Sequence, residues 1–276
     1  MTMDRLLMKP ARTLLFLAVL VLAAAMTGCQ PSRTPAATTP VPAPSTNFCV
    51  SIGGSWDEPQ ESCRLTTTNG RGLTAKIAMK YPAGLVDNSS APAPALRAHL
   101  QKWVAEFQPP QSPQKDTAGE GSANLAYTAT ERPGVAKSVV LRSDWFIPGM
   151  AHPNSSISTF TFSLKDGAEI RLTDLFCAGI DPVKALPPLV RPYIQHSLDT
   201  IGGSFAQAFR AEDFEPSTSP GSLANNYQAW ALDGDNLVLY MPGEGGPAGM
   251  PAGFLQPHIP FTALNSILRE GTCAAS

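Results

Sequence analysis

Four cysteines constrain this chain more than any other residues. Cys49, Cys63, Cys177 and Cys273 lie downstream of an N-terminus built for export, and in an oxidising compartment an even set of thiols is read as disulfides. Four cysteines allow three connectivities. The favoured one joins Cys49 to Cys63 and Cys177 to Cys273, making a small N-terminal loop and a long clip from the C-terminal end to the middle of the domain. Chain-entropy reasoning values these at roughly 3 and 4 to 5 kcal/mol. A zinc site is the competing use of cysteine, but the chain has no C-x-x-C pair and no two histidines at ligand spacing.

The export signal is Arg5, Lys9 and Arg12 ahead of the apolar run Leu14–Met26. That run is too short for a transmembrane helix, which needs roughly 20 apolar residues. It closes with Met26-Thr27-Gly28-Cys29, which resembles the bacterial lipobox and makes Cys29 the expected lipid anchor. Two acyl chains on one residue suffice for stable attachment, so the expected address is the extracytoplasmic face of the cell membrane. Residues 1–28 then form a signal peptide. Residues 29–47 are rich in Pro and Thr and poor in large apolar side chains, which predicts a disordered, stiff tether. Residues 48–276 remain for one domain.

Charged residues are 15% of the chain and the net charge is −2. Nucleic acid is therefore not an expected partner, because it calls for a basic face. The 27 prolines limit long helices. Residues 73–82 alternate as a strand, and residues 95–107 place Leu96, Leu100, Trp103, Val104 and Phe107 on one helical face. Residues 108–121 read as a mobile Pro/Gln/Gly-rich loop. Two strands follow about a turn at Pro133-Gly134, then a hairpin about Lys165-Asp166-Gly167, a helix over 188–198, and a hairpin about Asp233–Asn236. A short strand and a helix ended by Gly271 close the chain. The pattern predicts an α+β domain, with an antiparallel sheet built from hairpins and a few short packed helices.

The stretch Gly149–Phe176 joins Ala151-His152-Pro153-Asn154, an aromatic strand, a turn, and Asp174-Leu175-Phe176. This order resembles the extracytoplasmic domain of the lysozyme-sensing anti-sigma-V factor family. The early Cys49/Cys63 pair ahead of a strand and a helix is similar to the secreted immunogenic antigen family of mycobacteria. The resemblance runs from Phe48 to Leu268, with an N-terminal part over about 48–130 and the anti-sigma-V-like part over about 135–270. An actinobacterial composition, rich in Ala, Pro, Gly and Thr, agrees with it. It implies a binding or sensing domain whose ligand is a protein or a cell-wall component, a lysozyme-like partner among them. Only 28 residues precede Cys29, so the chain is not expected to hold a sigma factor itself.

His152, between two prolines, is expected to close its loop through backbone groups, and its removal to lower the melting temperature. His152, Pro153, Asn154, Asp174, Leu175 and Phe176 are thus read as a structural motif. No catalytic residue, metal site or cofactor is expected. Gly202–Ala206 lacks the apolar strand that feeds a nucleophile elbow, and Ser112–Lys115 has S-x-x-K spacing without a helix to present it. Asp233–Asn236 starts like a calcium loop but lacks the closing glutamate. His99 is expected at the surface. The alternative function is an envelope glycan or ester hydrolase, for which carboxylates such as Asp144 and Asp174 must converge in a cleft.

Overall fold

The computed structural model describes residues 47–68, 73–107, 119–216, 226–242 and 250–273. The expected signal peptide, Cys29, the tether up to residue 46, residues 108–118 of the loop expected over 108–121 and the Ser112–Lys115 quartet lie outside them, and the last three residues of that loop, 119–121, are strand.

The short helix α1 (Phe48–Ser51) opens the fold. Six strands then form one sheet in sequential order, β1 (Ser55–Asp57), β2 (Ser62–Thr68), β3 (Leu73–Met79), β4 (Gly119–Arg132), β5 (Ala136–Phe146) and β6 (Asn154–Ser163). Every neighbouring pair is antiparallel except β3 with β4. The parallel pair follows from the helices α2 (Ala83–Val86) and α3 (Ala93–Glu106), which separate the two strands in sequence. A helical crossover returns the chain to the end where it began, so the next strand runs the same way.

Alternation along the strands sends one set of side chains to each face. Ala75, Ile77, Met79, Ala123, Leu125, Val139 and Leu141 face inward and pack against Leu96, Leu100, Trp103 and Val104 of α3. The predicted helical face is therefore the buried one. His99 is half-buried beside this face and lies edge-on to Phe160 at 5.2 Å between ring centroids. The Cys49–Cys63 disulfide closes one end of this core, and both cysteines are fully buried.

The second half of the chain builds a separate layer. Helices α4 (Pro182–Ala185), α5 (Pro187–Ile201) and α6 (Gly203–Ala208) precede a three-stranded antiparallel sheet of β7 (Trp230–Asp233), β8 (Asn236–Leu239) and β9 (His258–Pro260). Val190, Ile194 and Leu198 of α5 pack with Trp230, Leu232, Leu237, Leu239 and Ile259. The architecture is α+β. Cys177 pairs with Cys273 across 96 residues, so both disulfides take the favoured connectivity and no cysteine at these positions is left for zinc.

Two local expectations change. The return of the residue 165–167 hairpin is a single bridge, Phe162 to Glu169, rather than a strand. Asp174 cuts it short by accepting from the Arg171 N–H at 2.9 Å, which opens a 3-10 turn over Leu172–Leu175. The last helix, α7 (Phe261–Leu264), is one turn long and stops before Asn265, not at Gly271. The chain beyond it runs along residues 175–177, where Cys177 N–H donates to Ile267 O and Arg269 N–H to Leu175 O, each at 2.9 Å.

Candidate functional site

The outer face of the large sheet is divided in two. Over its β4–β6 portion lies β7, an edge strand whose backbone groups would otherwise be buried without partners. Hydroxyls of the large sheet supply them. Trp230 N–H donates to Thr159 Oγ1 at 2.9 Å, Leu232 N–H to Ser138 Oγ at 2.9 Å, and Thr130 Oγ1 donates to Leu232 O at 2.7 Å. Ser138 and Thr161 share a further hydrogen bond at 2.9 Å, and Ala252 N–H donates to Ser155 Oγ at 2.8 Å. Ser138 and Thr161 are buried polar residues in a layer otherwise filled by Val140, Ile157, Ala229, Ala231 and Ala252. Their burial is tolerated because the hydroxyls are satisfied.

The β1–β4 portion of the same face is uncovered and forms an open cleft of about 530 Å³. Ser55, Arg64, Thr66, Lys76, Ser122 and Asn124 line it from four adjacent strands. Their positions follow from register, with Ser55 opposite Arg64, Thr66 opposite Lys76, and Lys76 opposite Ser122. The two cations are balanced, Arg64 by Asp57 at 2.9 Å and Lys76 by Glu120 at 2.7 Å. The floor thus offers neutral hydrogen-bonding groups between two ion pairs. Among the described residues, the lining includes no histidine, carboxylate, cysteine or aromatic ring. Sequence reading passed over these residues. The available signal was polar side chains at alternate positions, Arg64 and Thr66 on β2 and Ser122 and Asn124 on β4, facing away from the buried set.

The residues singled out from the sequence do not gather into one site. His152 is exposed, and its Nδ1 lies 3.0 Å from the carbonyl oxygen of Pro153, a contact within its own loop. Asn154 begins β6, and its side-chain amide donates to Met150 Sδ at 3.8 Å. Asp174, Leu175 and Phe176 follow the other end of β6. Phe176 is fully buried and bridges to Leu268. Asp174 also receives Arg171 Nη2 at 2.9 Å, and this guanidinium with the Arg171 N–H holds its carboxyl below the usual range. The triplet is anchored at the β4–β5 turn, because Glu270, two residues beyond Leu268, pairs with Arg132 at 2.6 Å.

Asp144 lies toward the opposite end of the sheet, level with Asn124 and Ser155, and pairs with Arg142 at 3.7 Å. Each of the two aspartates named for a hydrolase therefore has its own arginine, at a different end of the sheet. Gly202–Ala206 runs from the end of α5 into α6, so a helix and not a strand feeds Ser204. Asp233–Asn236 is the β7–β8 turn, where Gly234 has φ 53° and its N–H donates to Glu131 O at 3.0 Å. Among the described residues, no group of three or more His, Cys, Asp or Glu side chains is placed to hold a metal ion. No described helix is long and apolar enough to cross a membrane.

No family model matches the chain, and no curated protein matches it. The solved structures that resemble it include two of the DUF3298 family. A DUF3298 family protein from Pseudomonas aeruginosa PAO1 has 16% identity and a TM-score of 0.44, over 75% of this chain and 94% of that one. A DUF3298 family member from Bacteroides fragilis NCTC 9343 has 14% identity and a TM-score of 0.41, over 75% and 91%.

Proposed function

We propose that this chain is a lipid-anchored envelope protein that binds without catalysis, and that its uncovered sheet face takes an extended stretch of polypeptide. The cleft carries the reading. Its described lining has hydroxyl and amide groups to exchange hydrogen bonds, and its lysine, Lys76, is held by Glu120 at 2.7 Å instead of serving a hydroxyl as the base that acyl transfer would need. The adjoining half of the same face uses such hydroxyls to hold the backbone of β7. A glycan fits less well, since the described residues of the cleft include no aromatic ring to stack on a sugar.

Membrane attachment through Cys29 belongs to this reading. Intact mass of the mature protein is expected to show Cys29 at the N-terminus carrying a diacylglyceryl group, and an unacylated product beginning elsewhere would remove the anchor from the account. Lysozyme, the partner implied by the resemblance to the anti-sigma-V domain, is the first probe. Calorimetry with wild-type protein and with the Thr66→Lys/Ser122→Lys variant separates the outcomes. Binding lost in the variant, with melting unchanged, supports the cleft, whereas equal binding by both places lysozyme elsewhere.

A further inference from the structure

The two disulfides occupy opposite environments. Cys49 and Cys63 have no solvent exposure, and their sulfurs occupy the space that a Cβ on Gly54 would need. Cys273 is exposed near the chain terminus, and Cys177 is partly so. Thiol–disulfide exchange requires in-line approach of a thiolate to one sulfur, so access separates a labile bond from a sealed one.

The segment carrying Cys273 is also held without the covalent bond. Leu268 is 7% exposed within the second core. Cys177 N–H and Arg269 N–H keep their backbone acceptors, and Arg132 grips Glu270 at 2.6 Å while stacking over the Phe261 ring at 4.3 Å. An acceptor for the reduced form is already in place. The Leu268 carbonyl oxygen lies 3.2 Å from Cys177 Sγ and 3.6 Å from Cys273 Sγ. In the disulfide neither sulfur carries a proton to donate, but each thiol would.

We infer that Cys177–Cys273 is a thiol–disulfide exchange site, which a dithiol reductant opens in the folded protein while Cys49–Cys63 stays closed. A donor thiolate attacks the exposed Sγ of Cys273, and the Cys177 sulfur leaves as a thiolate and takes up a proton. The donor's second thiol then attacks the mixed disulfide and frees Cys273. Two electrons and two protons pass to the cysteines, and the donor ends as its own disulfide.

The test is a time course of the full chain with dithiothreitol at neutral pH, quenched with iodoacetamide and read by peptide mapping, with near-UV circular dichroism alongside. Alkylation at Cys177 and Cys273 is expected on the order of a hundred-fold faster than at Cys49 and Cys63, with the dichroism retained. Simultaneous opening of both pairs would overturn the inference. So would earlier opening of Cys49–Cys63, or opening of Cys177–Cys273 only as the native spectrum disappears.

Discussion

Gly54 has no room for a side chain. A Cβ there would meet Cys49 Sγ and Cys63 Sγ at 2.7 Å each and Cys49 O at 3.0 Å. Gly54→Ala is expected to cost about 1–3 kcal/mol of stability, the usual range for overpacking, measured by chemical denaturation. Asp174 acts through a hydrogen bond to the Arg171 N–H, and its replacement by Ala is expected to cost about 1 kcal/mol, as for other helix-start side chains. The pH dependence follows from the lowered carboxyl. A depressed folded value contributes stability above the unfolded carboxylate range and loses it as pH falls through the folded value. The gap between wild type and Asp174→Asn should therefore narrow as the solution is taken from neutral to strongly acidic, which melting at several pH values checks. His152 was legible as a loop residue, but its weight was not. An exposed ring bonded to the next residue's carbonyl gives His152→Ala an expected loss of under about 0.5 kcal/mol, a small lowering of the melting temperature.

Hydrogen bonding between layers governs the elements. Ser138 links two sheets, since its Oγ accepts from Leu232 N–H and shares a hydrogen bond with Thr161. Ser138→Ala leaves a buried N–H unpaired, and the expected cost is about 1–3 kcal/mol by denaturant unfolding. Thr66→Ala, in the uncovered half, is expected to be near neutral in the same measurement. The strands β4 and β5, the β7–β8 turn and the buried face of α3 were legible because period and turn chemistry are local. The parallel pairing of β3 with β4 was readable in principle from the helix between them. The stacking of β7 on Thr130, Ser138 and Thr159 was not, because it joins residues 71 to 102 positions apart and leaves only scattered hydroxyls as a signal. The residue 169 return looked like a strand because alternation continued past it, whereas Asp174 redirected the backbone.

Across the whole molecule, one disulfide seals the first core and the other clips the chain's end to the second. Replacing Cys177 and Cys273 by Ser is expected to cost roughly 4 kcal/mol in the chain-entropy view. The cysteine pairing was legible from spacing and an even count; the uncovered sheet face was not, since it depends on where the second layer stops. That face makes the molecule a binder in this account, and the most direct measurement is comparative capture from envelope extract by the wild-type chain and by Thr66→Lys/Ser122→Lys, with hydrolytic turnover of glycan and ester substrates assayed on the same preparations. The expected result is a ligand retained by wild type and lost by a variant that melts normally, with no turnover by either. Turnover abolished by Asp144→Asn or Asp174→Asn, or capture indifferent to the lysines, would contradict it.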